Sequence, residues 1–132
     1  MTLVDTSVWA DYLNDHSSRE AERLDAMIES GRAIATCGLV WAELLQGLRS
    51  ESSVRSVSAY LASMQYLRPL EPGTYQRSAA LYRKLRRRGV TVRSTIDCLV
   101  AQTAIDNDVG LLAKDRDFRL MAESGLTALR LD

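Results

Sequence analysis

Apolar residues along this chain follow two alternating rhythms. Short, nearly continuous apolar runs at residues 2–5, 33–37, 66–70, 111–113 and 126–131 read as strands. A strand covered on both sheet faces needs apolar side chains at almost every position. Between these runs apolar residues recur every three or four positions, the period of a helix with one buried face. Val8, Trp9, Tyr12 and Leu13 form the first such set, after Asp5 and Thr6, either of which can cap a helix start. A second helix opens at Ser17, with Glu20 at capping-box spacing; Ala21, Leu24, Met27 and Ile28 line its inner side, and Gly31 ends it. Gly38 breaks the second strand, and Trp41, Leu44, Leu45 and Leu48 mark a third helix. The serine-rich stretch 50–58 is not a linker, because Val54, Val57, Leu61 and Met64 keep helical spacing through it. Tyr75, Ala79, Tyr82 and Leu85 place a helix over 74–88, stopped by Gly89. Ile96, Val100, Ala104 and Ile105 place another over about 95–107, and a short one covers 117–124.

Strands alternating with helices predict an α/β fold: about five strands paired in parallel, with helices on both faces. Pro69 lacks the N–H that a ladder requires, so the third strand belongs at an edge. A length of 132 residues suits one domain spanning 1–132.

Composition narrows the function classes. Hydrophobic residues make up 46% and charged residues 26%, the balance of a globular protein. Seventeen basic and seventeen acidic residues cancel, which argues against a generally cationic nucleic-acid binder but not against local clusters. No apolar run reaches membrane-spanning length and no signal pattern opens the chain, so a cytoplasmic protein is expected. Cys37 and Cys98 are too few for a disulfide scaffold and are expected to be reduced and buried. His16 stands alone in a polar loop, and Trp9 and Trp41 keep company with core residues.

Four acids carry the chemistry. Asp5 and Asp115 each end a predicted parallel strand, where ligands of open α/β sheets gather. Asp97 lies in a helix's first turn, in line with small and apolar residues, and no locally placed base pairs with it. Glu43 lies on the third helix, with Gly47 four residues on, where something could approach closely. Each acid alone has an ordinary explanation as a cap or a solvated charge. Gathered together they would repel by roughly 3 kcal/mol per pair at about 5 Å and an effective dielectric of about 20. A cation offsets that cost. Oxygen ligands without His or Cys at ligand spacing point to Mg²⁺ or Mn²⁺, a cofactor that activates water against a phosphodiester.

At this point the residues resemble a family, the PIN domains, and within it the VapC-type toxins of bacterial toxin–antitoxin pairs. The resemblance rests on Leu3–Trp9 (LVDTSVW), Ala42–Gly47 (AELLQG), Asp97–Ala101 (DCLVA) and Leu111–Phe118 (LLAKDRDF), in the family's order. It implies a PIN-like three-layer sandwich and a metal-dependent endoribonuclease, with Asp5, Glu43, Asp97 and Asp115 as catalytic and metal-binding acids. Asp117 would support the site or replace Asp115 as the closer ligand. The family often has a hydroxyl residue two positions before the fourth acid; here that residue is Ala113, so Thr6, Ser7 or a water would supply the polar contact. The resemblance also implies an RNA substrate, a small cognate antitoxin and a homodimer. It favours cleavage that leaves a 5′-phosphate.

Arg77, Arg83, Lys84, Arg86, Arg87, Arg88 and Arg93 fall in a stretch with no acid between Pro72 and Ser94. From Arg83 onward they are candidates to guide an RNA backbone, since guanidinium forks suit phosphate; a solvated helix end explains them equally. Lys114 and Arg116 flank Asp115 and either meet phosphate or balance the acids. Two rivals remain. A phosphoacceptor receiver-like domain would want adjacent acids after the first strand and an acceptor Asp on a middle strand, but Thr6 and Ser7 follow Asp5 and 33–37 lacks Asp. A non-catalytic PIN-like binding module would have lost an acid, whereas all four are present.

Overall fold

A computed structural model describes residues 1–132. Four strands, β1 (Thr2–Val4), β2 (Ile34–Cys37), β3 (Gln65–Leu67) and β4 (Gly110–Leu112), form one parallel sheet in the order β3-β2-β1-β4. β1 and β4 are buried at every position, as continuous apolar runs require. From β1 to β3 the chain steps one way across the sheet. Right-handed crossovers therefore put α1 (Thr6–Leu13), α2 (Arg19–Glu29), α3 (Gly38–Gln46) and α4 (Glu51–Ala62) on one face. From β3 the chain crosses back past β1 to β4, which puts α5 (Gly73–Arg87) and α6 (Thr95–Asp106) on the other, where α7 (Arg116–Glu123) joins α6. The reversal of direction beside β1 opens a crevice at the carboxyl ends of β1 and β4. The core runs through both layers, with Trp9, Leu24 and Val40 on one side and Leu85, Val100, Phe118 and Met121 on the other.

The third strand is at the edge, as Pro69 requires, though it ends at Leu67. The expected fifth strand shrinks to one bridge, Leu111 to Leu131. Side-chain hydroxyls compete for the backbone there: Ser124 Oγ accepts from Leu126 N–H and Thr127 Oγ1 from Leu129 N–H. The second helix is capped by Ser18, whose oxygen accepts from Ala21 N–H, so the Ser17–Glu20 capping box does not form. Gly38 opens α3 rather than preceding it.

α5 is rotated from its expected face. Thr74, Ser78, Leu81 and Leu85 turn inward, while Tyr75 and Ala79 are exposed. Polar pairing sets the rotation: Thr74 Oγ1 donates to Asp106 Oδ2 (2.6 Å), accepts from Leu70 N–H (2.7 Å), and the Arg77 guanidinium grips the same carboxylate at 2.7–2.9 Å. Gly47 is an exposed helix end, and a Cβ there would meet only carbonyls of its own helix, so no other part of the chain approaches closely there.

Candidate active site

The ends of β1 and β4 and the helices around them bring five acids together, Glu43 from the middle of α3. Asp5 follows β1 and caps α1: Ser7 donates to Asp5 Oδ2 through both its N–H (3.1 Å) and its hydroxyl (2.6 Å). Lys114 N–H reaches Ser7 Oγ (3.4 Å), tying in the end of β4. Thr6 Oγ1 donates to Glu43 Oε1 (3.3 Å). The Thr6 and Ser7 hydroxyls thus contact Glu43 and Asp5. Asp115 caps α7, and its Oδ1 accepts from Asp117 N–H (2.8 Å). Asp117 is buried, and its Oδ2 accepts from Arg93 N–H (3.1 Å) while the Arg93 guanidinium lies 3.5 Å away. That guanidinium also stands 4.0 Å from Asp115 Oδ1. Each of these four carboxylates is therefore anchored through one oxygen. Asp97, half-buried in the first turn of α6, has its N–H capped by Ser94 (3.3 Å), but its carboxylate forms no hydrogen bond or ion pair.

The ordinary readings of these acids hold too, since Asp5 and Asp115 are helix caps. Capping consumes only one oxygen of each, so it does not compete with a second role.

Carboxylate oxygens of Asp97, Asp115 and Asp117 lie within 4.8 Å of one another. The Asp97 carboxyl is pushed up to about 7, first by burial and then by the charges of Asp5, Asp115, Glu43 and Asp117. Burial raises Asp5 against the opposing hydrogen bonds from Ser7, and burial with the Asp5 charge raises Glu43. Both thiols stay protonated in the metal-free chain. Burial raises Cys37, reinforced by Asp5 and Glu43, and burial with the Asp97 charge lifts Cys98 to about 11. The donor set is anionic and all oxygen, which fits a hard divalent cation.

These shifts fix a pH dependence. The folded, metal-free chain holds a proton on Asp97 up to about pH 7, whereas the ordinary value for Asp is 3.8. Across that interval the folded state binds more protons than the unfolded, so stability falls as pH rises. Asp11 and Asp106 are lowered and so act in the opposite sense, but at more acid pH. Melting of the metal-free chain is expected to drop between pH 5 and 8, and Mg²⁺ or Mn²⁺ should restore it at the upper end. Asp97→Asn should flatten the slope; an unchanged slope in that variant would remove Asp97 as its source.

The cationic stretch divides. Arg77 serves Asp106, and Arg93 turns to Asp117 and Asp115. Arg83, Lys84, Arg86, Arg87 and Arg88 are exposed and form no ion pair, with Arg86 resting 5.7 Å from the Tyr82 ring centroid. Lys114 pairs with Asp11 at 2.9 Å rather than with the acids. The anchoring of Asp117 by Arg93 had no signal in the sequence, because the two residues are 24 positions apart.

Residues 2–124 match the PIN domain family. The chain is 30% identical over 123 residues to a VapC ribonuclease of Mycobacterium bovis and to the ribonuclease VapC11 of Mycobacterium tuberculosis, covering 92% of this chain and 92% of each relative. In structure it is similar to the toxin–antitoxin complex VapBC2 of Rickettsia felis bound to a promoter DNA fragment (TM-score 0.74, 18% identity, 99% of this chain and 96% of that one). It is also similar to Mycobacterium tuberculosis VapC20, a sarcin-ricin loop cleaving toxin (TM-score 0.63, 16% identity, 98% and 99%). No helix is long and apolar enough to cross a membrane.

Proposed function

This chain belongs to the PIN-domain family, and we propose that it is an endoribonuclease toxin that hydrolyses RNA phosphodiesters at the five-acid site. The observation that carries this reading is the anchoring pattern. Asp5, Glu43, Asp115 and Asp117 are each held by the protein through one oxygen, which leaves the other to a ligand, and they surround an Asp97 with no partner. Such groups are oriented before a ligand arrives.

Asp5 and Asp97 would hold Mg²⁺ or Mn²⁺, with Glu43 and Asp115 completing the shell or orienting a water. A bound divalent ion supplies a water of lowered pKa and neutralises charge on the phosphate. The chain's own residues do the rest. The Ser7 hydroxyl and N–H fix Asp5, and the Thr6 hydroxyl turns Glu43. Arg93 holds Asp117 against the start of α7 and offsets part of the acid charge. The exposed Arg83, Lys84, Arg86, Arg87 and Arg88 would draw the RNA backbone toward α6. The toxin–antitoxin complexes among the similar structures support a small antitoxin as regulatory partner, and the family resemblance adds a homodimer.

Incubating the purified chain with total cellular RNA tests this reading. Cuts that need Mg²⁺ or Mn²⁺, vanish with chelator and with Asp5→Asn, and leave 5′-phosphates are expected. Products ending in 2′,3′-cyclic phosphate would mean that the ribose hydroxyl attacks, and the water mechanism would be wrong.

A further inference from the structure

The strand register extends the carboxyl edge beyond the acids. Leu3 pairs with Ala35 and Cys37 with Leu67, so continuing the register sets Asp5, Cys37 and Leu67 side by side on neighbouring strands. Such neighbours are ~4.8 Å apart. A groove of about 450 Å³ opens over Cys37 and Leu67, on the side of Asp5 away from β4. Leu39 lines it from α3, one helical turn before Glu43, and Leu99 lines it from α6. The acid site and this groove therefore share one edge.

Two exposed tyrosines form its mouth, Tyr66 (41%) and Tyr75 (46%). Tyr66 is fixed. Its ring meets Trp41 edge-on at 6.1 Å, the Arg68 guanidinium lies 5.7 Å from its centroid, and its hydroxyl fills the space where a Cβ on Gly38 would come within 2.7 Å. Tyr75 has no aromatic or cation–π partner; its hydroxyl donates to Glu71 Oε1 (3.3 Å), and the exposed part of its ring is open to a ligand. Arg68 forms no ion pair.

We propose that this groove holds an unpaired nucleobase of single-stranded RNA next to the phosphate being cut. Tyr75 supplies the stacking face and Arg68 meets the adjoining phosphate. The inference rests on the ribonuclease reading. An open aromatic face beside an unpaired guanidinium, over an apolar floor, is what a splayed-out base requires. A base inside a duplex hides its faces, so the groove selects single strands and loops. An apolar peptide would leave the Arg68 guanidinium without an anionic partner at the mouth.

The test uses the full chain carrying Asp97→Asn, so that cleavage does not obscure binding, and follows a short labelled RNA by fluorescence anisotropy with Mg²⁺ present. Adding Tyr75→Ala is expected to weaken single-strand binding by roughly 5- to 100-fold, the range for losing one base–aromatic stack. Tyr75→Phe should restore it, and the same RNA as a duplex should bind more weakly than the single strand. Equal binding with and without Tyr75→Ala, tighter duplex binding, or no RNA binding at all would overturn the proposal. A drop in oligomeric mass caused by Tyr75→Ala would assign the groove to a face between copies and overturn it too. Parallel cleavage by the wild-type chain separates the two readings. Tyr75-dependent binding without any metal-dependent cleavage would sink the nuclease and leave the base groove standing.

Discussion

Asp97→Asn is expected to lower RNA cleavage by on the order of 10³-fold, comparable to or above the loss of one preorganised electrostatic contact, and at the same time to raise the melting temperature of the metal-free chain. Both effects come from one cause. Asp97 is the acid on which the other four act, and burial and their charges push it up to about 7. Asn keeps the shape and removes the charge. Without a cation the variant loses a repulsion, and with a cation it lacks an anionic ligand. Ser94 still caps the same backbone N–H, so α6 should form as before. Kinetics and melting curves on one preparation would check the pair. Activity within tenfold of wild type would exclude Asp97 from the site, and a lowered melting temperature would show that its charge is compensated by a group outside the cluster.

Phe118→Ala is expected to cost about 3–5 kcal/mol, a large share of the roughly 5–15 kcal/mol that holds a domain of this size. Phe118 is fully buried on α7, which has only eight residues and sends just Asp117, Phe118 and Met121 inward. The ring is thus the main anchor of the helix whose first turn carries Asp115 and Asp117. Urea unfolding should show a midpoint lower by on the order of 2 M, and cleavage should fall at temperatures where the variant is still folded. Arg119→Ala, exposed on the same helix, should stay within about 0.5 kcal/mol. A shift for Phe118→Ala as small as that control would mean that α7 is held elsewhere.

The strongest features of this fold were legible as local patterns. β1 and β4 were readable because a strand buried on both faces is almost wholly apolar, and Asp5 and Asp115 stood out because each is the first acid after such a run. α6 was readable because its small and apolar residues make any acid among them conspicuous. What failed depended on distant partners. Residues 126–131 have a strand's composition, yet hydroxyl side chains capture the backbone groups that a ladder would need. The inward face of α5 is not legible locally, because Tyr75 is apolar enough to suggest core while Thr74 is drawn inward by Asp106, 32 positions away. Arg93 sat among arginines and gave no hint that it anchors Asp117. The groove beside Tyr66 and Tyr75 arises only when β2 and β3 are paired, so no single stretch of sequence announced it.

We propose that acids from separate elements make one divalent-cation site. Titration of Mn²⁺ into the metal-free chain, followed by loss of the free-ion electron paramagnetic resonance signal, tests it most directly. Saturable binding at pH 8 is predicted, weakened at least about tenfold by Asp97→Asn and weakened in the wild type as pH falls through about 7, where a proton competes for Asp97. No saturable binding, or equal binding by the wild type and Asp97→Asn, would mean that these acids do not form a cation site.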